Sequence, residues 1–206
     1  MTPPRRTSPS VTRLISKQPL PKPAAVRLLR GLGFRDPATA RGALARLPAD
    51  DLQRQSLRGI LARLLRTCGR SADPDRALIN FERLVAVLPN PTMLYHYLGK
   101  TPATVDLLVT LFAHSQALAD TLTRDATFFH FLIAPERLTA PREKAALATD
   151  LRRLLLPMRT ADERYDAVRR FRRRESLRIG ARDLAGPATV EETTRELANL
   201  ADVCLQ

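Results

Sequence analysis

The chain has 206 residues, a formal net charge of +13, no tryptophan and few aromatic residues. Ala, Leu and Arg dominate, and these rank best in intrinsic helix propensity, so the composition points to helices within one domain or two small ones. No apolar run approaches the roughly 20 residues of a membrane span, and the N-terminus lacks the apolar stretch of a secretory signal, so a cytoplasmic protein without a membrane segment is expected.

Residues 1–23 are rich in Pro, Ser and Thr, show little periodicity, and read as a flexible tail. Residues 24–70 read as a basic helical segment. There Val26, Leu28 and Leu29 precede Gly31-Leu-Gly33, where paired glycines end a helix more readily than they hold a phosphate. Asp36-Pro37 starts another helix, with Asp as cap and Pro in the first turn. Leu52, Leu57, Ile60, Leu61, Leu64 and Leu65 form a stripe of helical period closed by Gly69.

Ser71-Ala-Asp-Pro-Asp75 opens the next helix, with Leu78, Phe81, Leu84, Val85 and Leu88 on its apolar face and Pro89 and Pro91 as breakers. Short helical segments follow over 93–98, 105–113, 116–122 and 126–132. A helix over 143–156, a long one over 162–184 and a last one from about Val190 complete the chain. No alternation supports a strand. The fold class expected is all-α without a sheet, a chain of short helical hairpins followed by a long Arg-rich helix and a C-terminal helix.

The basicity is lopsided. Residues 1–70 hold 15 Lys/Arg against 3 Asp, whereas 71–206 hold 19 against 18 Asp/Glu. Such a front third can attract a polyanion. However, only four of the 34 basic residues are lysine, a bias that also follows from a GC-rich genome. Cys68 and Cys204 fit no metal or redox spacing and read as buried or half-buried thiols.

Arg170, Arg174, Arg178 and Arg182, each one turn above the last, are the candidate contacts to a partner domain or a phosphate. Tyr165, Val168, Phe171 and Ile179 flank this row on one side, Leu177, Ala181 and Leu184 on the other, so neighbours should grip the helix twice. Guanidinium groups at such a seam need carboxylates, carbonyls or a phosphate. Glu175, at three-residue spacing from Arg172 and Arg178, and Asp166, near Arg169 and Arg170, are intrachain partners that satisfy this need. Nucleic acid is not expected, because surfaces built for it are more one-signed.

Other candidates read as structural. Asp73-Pro-Asp75 mimics a metal-binding Asp-x-Asp pair, but Pro74 opens a helix, which makes the acids cap and first-turn residues. His96, His114 and His130 have no ligand spacing, and Ser115 beside His114 makes no triad by adjacency. Tyr95 and Tyr97 read as packing. No catalytic and no metal residue is assigned.

Phe171–Gly186, followed by Val190–Asp202, resembles the helices leading into the catalytic domain of glutamine synthetase adenylyltransferase, also called the adenylyl-removing enzyme. Asp73–Arg83 and Asn90–Thr92 carry a second match. Gly180 departs from the pattern and costs a helix about 1 kcal/mol. In that family such helices precede a nucleotidyltransferase strand with Gly-Ser and, further on, Asp-x-Asp, so residues 71–206 would be the helical region ahead of that domain, with Gln206 where the strand should begin. The resemblance implies, for a complete member, AMP transfer from ATP to a tyrosine of glutamine synthetase and its phosphorolytic removal. It also implies Mg²⁺ and ATP as cofactors, and glutamine synthetase and a nitrogen regulatory protein as partners. This chain is expected to hold no cofactor and to be inactive alone, with a catalytic domain supplied elsewhere or in trans. The other reading is a free-standing helical interaction module that binds a protein or polyanion.

Overall fold

The computed structural model describes residues 9–134, 136–186 and 188–205, and every regular element among them is helical. In chain order these are α1 (Pro9–Thr12), continued by a 3-10 turn (Arg13–Ile15), α2 (Lys22–Gly31), α3 (Pro37–Arg46), α4 (Asp51–Arg70), α5 (Pro74–Val87), α6 (Pro91–Lys100), α7 (Pro102–His114), α8 (Gln116–Arg124), α9 (Phe128–Leu132), α10 (Glu136–Thr139), α11 (Lys144–Leu155), α12 (Ala161–Ala185) and α13 (Val190–Leu205). The all-α class without a sheet is what the described residues show.

Local chemistry explains where helices start. Asp36, Asp50, Asp73 and Asn90 each accept a hydrogen bond from a first-turn amide, and a proline occupies the first helical position after three of them. Each such cap is worth about 1 kcal/mol. Thr160 and Glu163 form a reciprocal capping box at the start of α12, satisfying two amides that the helix itself leaves unpaired.

The chain divides into two compact units, Met1–Ala119 and Asp120–Gln206, with the division inside α8. The sequence-derived boundary at 70/71 falls in the first unit, between α4 and α5. In that unit α4 packs against α6 and α7, and α5 against α3 and α7. Leu57, Ile60, Leu61, Leu64, Leu65 and Cys68 form the buried face of α4, whereas Leu52 is 63% exposed. Leu52 lies about 140° around the helix from Leu57, so it was out of phase with the stripe to which the sequence assigned it.

α4 ends at Arg70, one residue past Gly69. The place of Gly69 follows from a close approach: a Cβ there would lie 1.7 Å from the Leu32 carbonyl oxygen, beside Gly33, whose φ is +105°. Only glycine fits both conditions.

Within the stretch read as a tail, Met1–Ser8 lies outside the described residues. Residues 9–15 are helical and bury Val11, Leu14 and Ile15. Spacings of three and four place these side chains on one face.

In the second unit α12 packs against α9, α10, α11 and α13, and α11 packs against α13. Leu147 and Leu151 of α11, Phe171 and Ile179 of α12, and Leu200 and Val203 of α13 make its core.

Candidate functional site

The arginine row rises along α12, and its members meet different surroundings. Residues four apart advance by about 40° around a helix of 3.6 residues per turn. The row therefore spirals from the surface into the interior: the side chain of Arg170 is 56% exposed, Arg174 27%, Arg178 0% and Arg182 3%.

The two interior members are held by carboxylates of the same unit. Arg178 donates through Nε to Glu175 at 2.8 Å and through Nη2 to Glu196 at 2.5 Å. Arg182 donates to Glu196 at 3.3 Å and to Glu192 at 2.7 Å. Glu175 also accepts from Arg174 at 3.2 Å and from Arg142 at 3.1 Å. The second guanidinium nitrogen of Arg142 reaches Asp150, and its backbone amide donates to Glu196 at 2.8 Å. Four arginines and four carboxylates thus form one charge-balanced cluster that ties α12 to α11, to α13 and to the segment before α11.

Such a cluster adds less stability than its number of bonds suggests. Desolvating buried charges costs several kcal/mol per ion, and their attraction does little more than offset that cost. The bonding is also incomplete: Arg178 Nη1, Arg182 Nε and Arg174 Nε are buried without an acceptor.

Protonation follows these contacts. For Arg142 burial works against the charged form, but Asp150 and Glu175 prevail and raise its pKa. Burial lowers that of Arg174, with Glu175 opposing and the like charge of Arg137 assisting. Glu192 is held below the usual carboxylate range, chiefly by Arg182.

The N-terminal half of the row lies against aromatic rings. Arg170 donates to Asp125 at 2.7 Å and to Thr127 at 2.9 Å, and its guanidinium lies 5.6 Å from the centre of the Phe128 ring. Burial opposes the ionised form of Asp125, yet the bonds from Arg170 and Thr127 lower its pKa. Arg174 lies 4.3 Å from the Phe131 ring centre and 5.3 Å from that of Phe171.

Of the pairings read from spacing, Glu175–Arg178 and Asp166–Arg169 form, whereas Arg170 turns to Asp125 instead of Asp166. Sequence reasoning missed Arg142, Glu192 and Glu196. A signal existed for Glu196, which sits four residues before Leu200 and seven before Val203, on the buried stripe of α13. A carboxylate at a core position requires a buried cation.

The remaining candidates have other surroundings. Asp73 caps α5, and Asp75 accepts from the backbone amides of Arg35 at 2.8 Å and Asp36 at 3.2 Å. Their carboxylates are engaged with amides, and the pair does not fit a divalent cation. Among the described residues, no three His, Cys, Asp or Glu side chains gather as a metal site. His96, His114 and His130 are exposed, with His114 Nδ1 2.9 Å from the Thr110 carbonyl. Tyr95 is buried and donates its hydroxyl to the Leu47 carbonyl at 2.9 Å. Cys68 is buried and Cys204 half-buried. No helix of the described residues is long and apolar enough to cross a membrane.

Comparison with known proteins connects this geometry to a family. The profile of the GlnE family, glutamate-ammonia ligase adenylyltransferase, matches residues 105–206, the part containing α12 and α13. Among relatives named bifunctional glutamine synthetase adenylyltransferase/adenylyl-removing enzyme, that of Xanthobacter autotrophicus is 33% identical over 86% of this chain and 19% of its own length. That of Streptomyces coelicolor is 35% identical over 100% of this chain and 18% of its own, and that of Mesorhizobium japonicum 28% identical over 97% and 21%. The chain thus spans about a fifth of the length of the curated relatives it matches. On these matches, the chain belongs to the glutamate-ammonia ligase adenylyltransferase family.

Proposed function

We propose that the chain supplies helical scaffold to a glutamine synthetase adenylyltransferase/adenylyl-removing system, with the AMP chemistry carried by a nucleotidyltransferase domain outside these residues. The observation that carries this reading is the Arg178–Glu196 cluster, which commits the interior of the arginine row to joining α12 and α13 within the stretch the family profile matches. A helix pair pinned in this way is suited to presenting a fixed surface to a neighbouring domain.

In this reading Arg178 and Arg182 hold the platform, and Arg170 and Arg174 are the members of the row available to a partner. Mg²⁺ and ATP belong to the catalytic domain, and glutamine synthetase and a nitrogen regulatory protein are partners of the assembled system. No step of the transfer reaction is assigned to a residue of this chain.

Inspection of the coding sequence adjoining the codon for Gln206 tests the proposal. A continuous or neighbouring stretch encoding a strand with Gly-Ser and a following Asp-x-Asp is the expected result. An unrelated stretch there, with no such domain encoded elsewhere in the same genome, would overturn it.

A further inference from the structure

A partly open cavity of about 170 Å³ lies in the second unit where the N-terminal half of the arginine row meets α9 and α11. Phe128, Phe131, Leu154 and Phe171 supply apolar walls, and Arg170 and Arg174 supply the charge. We propose that this cavity binds a small organic anion whose body is apolar and ring-sized, such as an aromatic carboxylate.

Three observations lead there, independently of the function proposed above. The first is charge. The carboxylate that Arg174 contacts is Glu175, which also receives Arg142 and Arg178. A second guanidinium, that of Arg137, lies 4.4 Å from the same Phe131 ring, so two like charges press on one aromatic side chain. An anion placed beside Arg174 would offset this repulsion.

The second observation is bonding capacity. Arg174 Nε is buried without an acceptor, and its guanidinium, on a side chain 27% exposed, is held against two rings. A preorganised and undersatisfied guanidinium loses little freedom on meeting a carboxylate. Arg170 is likewise held in place, by Asp125 and Thr127.

The third is shape. The volume lies well below the roughly 300–1,000 Å³ of a drug-sized site. It fits one ring, and three phenyl side chains line it for aromatic contact. Neither charge nor an apolar body alone uses both parts of the cavity.

Titration of 4-fluorobenzoate into the full chain, observed by ¹⁹F NMR, tests the proposal, with 4-fluorobenzyl alcohol as the uncharged probe and inorganic phosphate as the anion without a ring. Saturable binding of the carboxylate with a dissociation constant on the order of 1 mM is expected, with both other probes weaker by about tenfold. Arg174→Gln should weaken it by at least about fivefold, and so should Arg170→Gln, whose exposed side chain can be replaced without opening the core. Melting temperatures of both variants identify loss of fold, and Arg170→Gln alone decides the matter if Arg174→Gln unfolds. Absence of saturation up to about 10 mM in the unsubstituted chain would overturn the proposal. So would phosphate binding as tightly as the carboxylate, or a folded Arg170→Gln variant with unchanged affinity.

Discussion

Arg178 of α12 and Glu196 of α13 meet at 2.5 Å with side-chain exposures of 0% and 2%. The two helices are therefore joined at their buried faces by charge as well as by apolar contact. Removing one partner leaves the other charged in a buried site. Glu196→Gln should accordingly destabilise the chain by about 3–5 kcal/mol in urea unfolding of the second unit. A change below about 1 kcal/mol would mean that water reaches the cluster.

Phe171 is 1% exposed and packs in the core built by α11, α12 and α13. Phe171→Ala should cost about 3–5 kcal/mol, through lost burial and the cavity left behind. An unchanged melting temperature would contradict the packing described for this unit.

The beginnings of these helices were legible because Asp-Pro and Asn-Pro pairs act locally: the cap and the following turn need no distant partner. The long α12 was also legible as far as its two apolar patches, since Phe171 and Ile179, and Leu177 and Ala181, are all buried. Tyr165, assigned to the first patch, is 64% exposed, because no neighbour among the described residues covers the start of the helix at that angle. The fate of the arginine row was not legible from α12 alone. It depends on Glu192 and Glu196 arriving from α13 and on Arg142 from before α11, and such pairings are set by tertiary packing rather than by spacing along one helix. α10 escaped notice because its four residues are too few to show a period, and the turn at 9–15 because its single repeat, Val11 to Leu14 and Ile15, sits in a stretch rich in Pro, Ser and Thr.

The two thiols should differ in reactivity. Burial pushes the Cys68 thiol up to about 12 and raises that of Cys204 as well. Cys204 is the more open of the two. Alkylation of the native protein near pH 8 should label Cys204 and spare Cys68 until the first unit opens, because the thiolate is the reactive form. Since the folded pKa of Cys68 is raised, its contribution is present below the unfolded value and is lost as pH climbs from there towards about 12. Equal labelling of both cysteines without unfolding would contradict the placement of Cys68.

Several carboxyls should set the acid limb of stability. Thr39 lowers the pKa of Asp36, and amides of Thr160 and Arg159 lower that of Glu163. Asp125 is lowered against the effect of burial by Arg170 and Thr127. A lowered folded pKa gives stability that is full above the unfolded value near 4 and is lost as pH falls through the folded value. Melting temperature should therefore drop below about pH 4, and Asp125→Asn should flatten that drop. An identical pH slope in the variant would remove Asp125 from this account.

The basic front third should bind duplex DNA weakly. If its arginines mainly solvate helices, affinity should be almost gone near 0.15 M salt, where the Debye length is about 8 Å. A complex that survives that ionic strength and disappears on deletion of residues 1–70 would favour the interaction-module reading.

The most direct test of the scaffold assignment is AMP transfer measured with purified chain, glutamine synthetase, Mg²⁺ and labelled ATP. In-line transfer of this kind depends on metal ions positioned by carboxylates. Asp73 and Asp75, the one pair in the sequence that mimics such a motif, are bonded to backbone amides. The expected result is no labelled glutamine synthetase from the chain alone, and labelling when a nucleotidyltransferase domain of the family is supplied. Labelling by the chain alone that is lost on substituting one of its own residues would contradict the account.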